Sequence, residues 1–442
     1  MKEQFTFIDL FAGIGGFHKA LESLGGVCVM ASELDEKCQD VYSKNFPKTT
    51  IVGDIRELNL EKTGKNDGEP VPDHDVLCAG FPCQPFSKAG NRLGLEDTRG
   101  TLFYHIAKII ERKRPQYLIL ENVPNLIGHN DGKTWITISN VLKDLGYKFD
   151  SVPLKFSPHL IGIPQIRERV FILATNHLDH PSKMSDPVRV ERPTPPKCSI
   201  DDILLDDSDI DDIKNYMLKD KEIELVNMWN NFIKGINGLL PGFPIWADQF
   251  QETYEIDDLP KWKQNFLIKN RKLYKDNKKF IDGWLKNHGN LEHLHQTHAK
   301  FEWQAGDSAR DLWNLIFHFR PSGLRVKKPD YVPALVAITQ TSIIGKRRRR
   351  ITPREAARLQ SFPDDFKIHN DSRVAYKQFG NAVNVEVVKY LASELLKINY
   401  NAKLKMEKIQ KESFITTELS QQNHLSCLTM SSCLNVIKVG AR

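Results

Sequence analysis

No apolar run in this 442-residue chain approaches the about 18 residues that a membrane span needs, so a membrane protein is excluded. Residues Met1 to Leu10 hold neither a long apolar segment nor a small-residue cleavage site, so no export signal is expected and the protein is read as cytoplasmic. The seven cysteines (Cys28, Cys38, Cys78, Cys83, Cys198, Cys427, Cys433) are odd in number and include no C-x-x-C pair. That argues against a disulfide framework and a cysteine-rich zinc site, and it leaves reduced thiols, any one of which can act as a nucleophile. No metal is expected: His288, His293, His295 and His298 cluster without a cysteine or carboxylate pattern, and solvated or packed histidines are the simpler reading. A large excess of either charge is missing too, with Lys and Arg at 62 against 56 for Asp and Glu. The basic residues do gather, at Lys263 to Lys279 and Lys346 to Arg350, which makes a polyanion such as nucleic acid a candidate partner.

Phe5 to Leu10, Val27 to Ser32, Thr49 to Val52, Asp75 to Ala79, Tyr117 to Glu121 and Arg169 to Ala174 are short apolar or β-rich runs. Between them lie helical stripes such as Phe17, Ala20, Leu21, Leu24. This alternation predicts an α/β doubly wound, mostly parallel sheet. After Asn176 the Pro-rich, charged "HPSKMSDPVRVERPTPPK" ends the pattern, and the region to about Arg373 shows little periodicity. The expected organisation is a catalytic and cofactor-binding domain at 1–176, completed by 374–400, and a smaller irregular domain at 177–373. A Lys-, Gln- and Ser-rich tail, 401–442, is expected to be poorly ordered. Val385 to Leu396 carries a further amphipathic stripe and is expected to be a helix that packs back on the first domain.

The loop "CAGFPCQPFSKAG" places Cys83 just past the carboxyl end of a buried strand, where open parallel sheets deliver reactive groups. A small buried thiol is the bland alternative. "FIDLFAGIGGF" sets Gly13, Gly15 and Gly16 between strand and helix, where small residues let a ligand reach backbone N–H groups. Glu33 ends the next strand, 20 positions after Gly13, the spacing at which a carboxylate meets an adenosine ribose. Asp54 in "IVGDI" is an acceptor suited to the exocyclic amine of adenine. His18 stands where a nicotinamide fingerprint needs a third glycine, so an adenosine-type cofactor without a pyrophosphate is favoured. Glu121 ends the strand in "LILENVPNL", in an apolar setting that raises a carboxyl pKa and suits proton delivery. Arg167 and Arg169, two apart at a strand start, are expected on one side, where they suit a phosphate or base edge and favour a thiolate. "QFGNAVNVEVV" puts Gly380 and Asn381 just before the last helix, as a turn over a ligand.

The ordered set "DLFAGIGG", "GFPCQPFS", "ENV", "QIRER", "RRITPREAARLQSFPDDF" and "QFGNAV" resembles the cytosine-5 DNA methyltransferase family, over residues 5 to 174 and 346 to 395. The resemblance implies a Rossmann-like fold and methyl transfer from S-adenosyl-L-methionine to C5 of a cytosine flipped out of a short specific sequence in double-stranded DNA. It further implies a monomer that serves as the modification enzyme of a restriction-modification system, with a cognate endonuclease acting on the same site. Phe11, Glu33, Asp54, Pro82, Leu102 and Asn381 would then line the cofactor site with Gly13 and Gly15, Cys83 would be the nucleophile, and Glu121, Arg167 and Arg169 would hold the base. Gln84 and Ser87 would also bind substrate, "SKAGNRLGLEDTRG" would form a lid, and 177–345 would recognise the target. Ala382 departs from the serine that family members often carry. An RNA cytosine methyltransferase, a nicotinamide oxidoreductase and a catalytically silent DNA-binding module are the competing readings; transfer-RNA methylation would mark the first and binding of reduced nicotinamide the second, while the presence of Cys83, Glu121, Arg167 and Arg169 weighs against the third.

Overall fold

Strands buried on both faces are apolar nearly throughout, and the runs of the first half fold accordingly. β1 (Thr6–Leu10), β2 (Val27–Ser32), β3 (Ile51–Val52), β4 (Val76–Gly80) and β5 (Tyr117–Asn122) are parallel neighbours in the order β3-β2-β1-β4-β5. Next come β6 (Tyr147–Lys148), β7 (Leu154–Phe156), β8 (Gln165–Ile166) and β9 (Arg169–Asn176). β9 lies antiparallel to β5, and β6 and β7 each pair antiparallel with β9, so β9 alone opposes the common direction. The computed structural model describes residues 5–59, 70–82, 101–179, 187–238, 240, 242–250, 255–306, 310–335 and 341–398.

Helices cover both faces, as the doubly wound expectation requires. α1 (Gly16–Ser23) and α2 (Glu36–Asn45) flank β2, and His18 of α1 meets Phe7 of β1 edge to face at 5.6 Å. On the opposite face, α3 (Leu102–Lys113) and α4 (Lys133–Asp144) bury Ile106, Ile110, Ile138 and Leu142 against Ile8, Leu77, Leu118 and Ile172. Each such side chain removed from water is worth about 1.5–3 kcal/mol before the entropy of ordering is counted.

The region whose fold the sequence leaves unread forms a second sheet with its own core. Its elements are α5 (Asp220–Gly235), β10 (Ile245–Trp246), α6 (Lys261–Asp276), α7 (Lys278–Asn287), β11 (Lys300–Gln304), β12 (Ile316–Arg320), β13 (Gly323–Lys327), β14 (Val332–Pro333), β15 (Ile343–Ile344) and β16 (Arg349–Arg350). Six of the strands run in the order β10-β11-β13-β12-β15-β16, while β14 pairs with β8. The helices bury Trp229, Phe232 and Trp284 against Phe301, Trp303 and Phe317 of one sheet face, and Trp229 stacks on Phe301 at 4.8 Å. The indole N–H groups are satisfied: Trp229 donates to the His298 carbonyl at 3.0 Å and Trp284 to that of Met228 at 3.1 Å.

"ITPREAAR" then starts α8 (Pro353–Leu359) with a capping box, in which Thr352 accepts from the Glu355 N–H and Glu355 accepts from the Thr352 N–H, with Pro353 at the first helical position. α9 (Ser372–Asn381) and α10 (Val385–Leu395) follow. By its packing the chain divides into Met1–Lys389, which holds both sheets, and Tyr390–Arg442. No described helix is long and apolar enough to cross a membrane.

Candidate active site

β1 delivers its chain into a turn that L-residues rarely adopt. Phe11 has φ +57°, Gly13 +56° and Gly15 +91°, and the left-handed region costs a side-chain-bearing residue about 1–2 kcal/mol. The two glycines have different reasons. Gly13 faces open space where a Cβ would stand, whereas a Cβ on Gly15 would run into the ring of Phe46. Glu33, at the end of β2, pins this turn: its carboxylate accepts the Gly13 N–H at 2.7 Å and the Asp35 N–H at 2.8 Å. His18 is a core residue. It stacks on Phe46 at 3.7 Å and shares a 2.6 Å hydrogen bond with the Tyr42 hydroxyl, and burial pushes its pKa down to about 3, so the imidazole is neutral.

β4 ends at Gly80, where a Cβ would stand 3.5 Å from Glu121 Oε2 on the neighbouring strand. Asn122 holds the chain that follows, donating from Nδ2 to the Phe81 carbonyl at 2.8 Å and accepting the Val123 N–H at 2.8 Å. Glu121 is buried and lies 3.1 Å from Nε of Arg169. Burial raises its pKa, and the charges of Arg169 and Arg167 draw it back only in part. Arg167 and Arg169 both face this cleft, but they are used differently. Arg167 is 3% exposed and spends its guanidinium on main-chain carbonyls, those of Leu335 at 3.2 Å, Gly380 at 2.8 Å and Ala382 at 3.0 Å. Gly380 and Asn381 form the last turn of α9, with Ala382 as its cap, rather than a free turn ahead of α10.

One cleft of about 460 Å³ gathers these groups: Phe11, Gly13, Glu33, Pro82, Glu121, Arg167, Arg169 and Asn381 all line it. Gly15, Asp54 and Leu102 are not among its lining residues. Asp54 caps the short turn Ile55–Glu57 and is paired with Arg56 through Nε at 2.8 Å and through Nη2, which lowers its pKa. Leu102 opens α3 and packs, half-buried, on the first core. Cys83, Gln84, Ser87 and the glycine-rich segment after them lie outside the described residues. The cleft also takes Phe17, Asp35, Cys38, Asn122 and Gln378, which sequence reasoning did not single out. Asn122 sits inside the quoted "ENV". Gln378, whose amide donates to the Lys37 carbonyl at 2.9 Å, opens "QFGNAV".

The basic run Lys346 to Arg350 is largely spent inside the fold. Arg349 is fully buried, with 2.8–2.9 Å bonds to both oxygens of Glu355 and one of 2.8 Å to Asp207. Arg350 pairs with Glu222 at 2.5 Å, and Arg348 lies 4.9 Å over the Trp313 ring.

Residues 5–397 match the family model for C-5 cytosine-specific DNA methylases. The chain is 36% identical to Type II methyltransferase M.AluI of Cellulosimicrobium cellulans, over 88% of this chain and 92% of that one. It is 34% identical to M.HpaII of Haemophilus parainfluenzae, over 90% of each, and 32% identical to M.HhaI of Haemophilus parahaemolyticus, over 87% and 92%. Its fold resembles the crystal structure of a prophage-encoded E. coli protein assigned as a DNA modification methyltransferase, with TM-score 0.50 and 23% identity, over 89% of this chain and 99% of that one.

Proposed function

The chain belongs to the C-5 cytosine-specific DNA methylase family, and from that premise we propose that its cleft moves a methyl group from S-adenosylmethionine to C5 of a cytosine flipped out of a specific duplex sequence. The observation that carries this reading is the shared cleft: the Glu33–Gly13 turn and the Glu121–Arg169 pair open into one space. Gly13, open where a Cβ would stand, and Glu33, with lone pairs beyond those its two backbone donors use, fit an adenosine-bearing cofactor. Phe11 and Asn381 would complete that wall. When bound, S-adenosylmethionine supplies an electrophilic methyl group.

The chain's own residues make C5 able to accept it. The Cys83 thiolate, one residue beyond Pro82, bonds to C6 of the ring, and the C5–C6 electron pair shifts to C5. Glu121, whose pKa burial raises, gives its proton or a hydrogen bond to N3 as charge develops there. Arg169 orients Glu121 and reaches the polar edge of the base. After methylation a water molecule takes the C5 proton, the C5–H electron pair re-forms the C5–C6 double bond, and the C6–S pair leaves on sulfur to restore the Cys83 thiolate.

Residues 1–176 with 374–400 form the catalytic part in this reading, and 177–373 selects the DNA sequence. The Type II methyltransferases among the relatives support a modification role beside a restriction endonuclease acting on the same site. The protein would work as a cytoplasmic monomer.

A duplex with 5-fluorocytosine at the target tests the mechanism, because fluorine cannot leave as a cation and the C6–S bond persists. The expected product is a denaturant-resistant adduct through Cys83 that includes the DNA and one methyl group, requires S-adenosylmethionine and is absent in Cys83→Ser. An adduct at Cys28, Cys38 or Cys78, or full trapping by Cys83→Ser, would overturn the assignment.

A further inference from the structure

His288, His293 and His298, gathered in the sequence without a metal-ligand pattern, have no part in the catalytic cleft. The fold brings all three to a second cavity, of about 870 Å³, between their own segment and α5. One side of it is apolar: Leu225 and Met228, a helical turn apart on α5 and both buried, line it with Leu294 and Phe319. Asn227 and Asn231, at i, i+4 on the same helix, and Arg350 of β16 add polar groups. The cavity shares no lining residue with the catalytic cleft.

Charge and access narrow what the cavity holds. Two cations, Lys221 and Arg350, stand against two carboxylates, Glu222 and Glu224, and Arg350 already bonds Glu222 at 2.5 Å. The formal charges cancel. Burial pushes the pKa of His288 and of His298 down, so both rings are neutral near pH 7. Among the described residues no group of three or more His, Cys, Asp or Glu is placed to hold a metal ion. What remains is polar without net charge. Each neutral imidazole carries one donor and one acceptor, and Asn227, whose oxygen accepts the Trp313 indole N–H at 2.9 Å, keeps its amide N–H donors. Imidazole and phenyl faces also stack on flat rings, and those of His298 and Phe319 lie 6.4 Å apart at 59°. His293 and His298 are exposed and His288 is half-buried, so a solute reaches them from solvent.

We propose that this cavity binds a nucleobase, a neutral planar ring whose edge carries hydrogen-bond donors and acceptors. Small-ligand pockets have volumes of about 300–1,000 Å³, and the about 870 Å³ found here admits a base with its sugar. The apolar side takes one face of the ring, and His298 and Phe319 flank it. Asn227, Asn231 and the imidazoles meet its edge. A phosphate is not part of the recognised group, because the cations and carboxylates are balanced. The base arrives either on a free nucleoside or from a nucleic-acid strand, two sources of one chemistry.

The full chain, with S-adenosylmethionine at saturation to occupy the catalytic cleft, is titrated by calorimetry with adenosine, guanosine, cytidine and thymidine. At least one should bind saturably. Leu294→Trp, which fills the cavity from a half-buried position, should abolish that binding. Asn231→Ala, at an exposed position, should weaken it by about 2- to 10-fold, the worth of one hydrogen bond. Both variants should keep the wild-type cofactor affinity, since neither residue lines the catalytic cleft. A second arm measures affinity for a duplex carrying the methylated site, located by bisulfite sequencing of DNA from expressing cells. If free nucleosides do not bind but Leu294→Trp weakens the duplex, and an abasic sugar at one position removes that difference, the base comes from the strand. Unbound nucleosides together with equal duplex affinity in wild type and variant overturn the site. Nucleoside binding undiminished in both variants overturns its location. If Leu294→Trp does not fold, Asn231→Ala decides both arms. A chain that binds nucleosides here yet methylates no DNA overturns the catalytic reading and leaves this one intact.

Discussion

Nε of Arg169 stands 3.1 Å from Oε1 of Glu121, and its charge opposes the upward pull of burial on the pKa of that carboxyl. Desolvation favours the protonated acid and Arg169 favours the carboxylate, with burial the larger effect. In the proposed mechanism Glu121 is a proton donor whose strength is set by its neighbour.

The pH consequence has a definite sign. A carboxyl raised in the folded state favours folding below its unfolded pKa, and that contribution is lost as pH rises through the folded value. Glu121→Gln, neutral at every pH, removes the effect. The melting temperature of the wild type relative to Glu121→Gln should therefore fall between acidic and mildly alkaline pH, as read by thermal denaturation in matched buffers. The same variant should lower the methylation rate by about 10²–10⁴-fold, the usual worth of a positioned general acid. It should also lose the alkaline limb of the wild-type pH–rate profile.

Glu33→Ala removes the acceptor for two backbone N–H groups, those of Gly13 and Asp35, besides any contact to a ribose. Calorimetry should show cofactor binding at least tenfold weaker, with a loss of stability of about 1–3 kcal/mol for the orphaned donors. Unchanged cofactor affinity would remove the ribose assignment even if stability fell.

Gly15→Ala should destabilise without touching chemistry. Its φ of +91° strains any side chain, and its Cβ would collide with Phe46, which is held between His18 and Tyr42. Urea denaturation should show a loss of about 2 kcal/mol or more, from the left-handed backbone and the clash together.

The first sheet was legible because its strands are buried and its signals local: each run from Phe5 to Ala174 overlaps a strand of the observed sheet, with ends that differ by at most two residues. The second sheet was not. Its strands are two to five residues long, too short for alternation to stand out, and β11 pairs with β13 by skipping β12 in the chain order. The site divides in the same way. Gly13, Glu33 and Glu121 are announced by their places at strand ends. The partners of Arg167 lie 168 and 213 residues away for Leu335 and Gly380, so no local pattern reveals them. The Asp54–Arg56 pair is the opposite case, since an Asp two residues before an Arg at a turn is a local cap that the sequence itself displays.

Arg167 provides the sharpest division between building a site and acting in it. Its guanidinium joins β8 and β9 to the Leu335 carbonyl, just after β14, and to the carbonyls of Gly380 and Ala382 at the end of α9. β14 and β8 are themselves paired, Val332 with Gln165 and Pro333 with Ile166, so the arginine locks the return of the second region against the cleft. A lysine keeps the charge but is a compact donor that cannot hold three carbonyls arranged around a planar fork. Arg167→Lys should therefore leave buried carbonyls unpaired, at about 1–3 kcal/mol each, and lower the urea midpoint accordingly. Because the same carbonyls flank Asn381 in the cleft wall, the affinity for cofactor should fall with stability. Single-turnover methylation at saturating cofactor and DNA should keep most of its rate, unlike Glu121→Gln. A variant of wild-type stability that had lost the single-turnover rate would instead make Arg167 a direct contact of the reacting base.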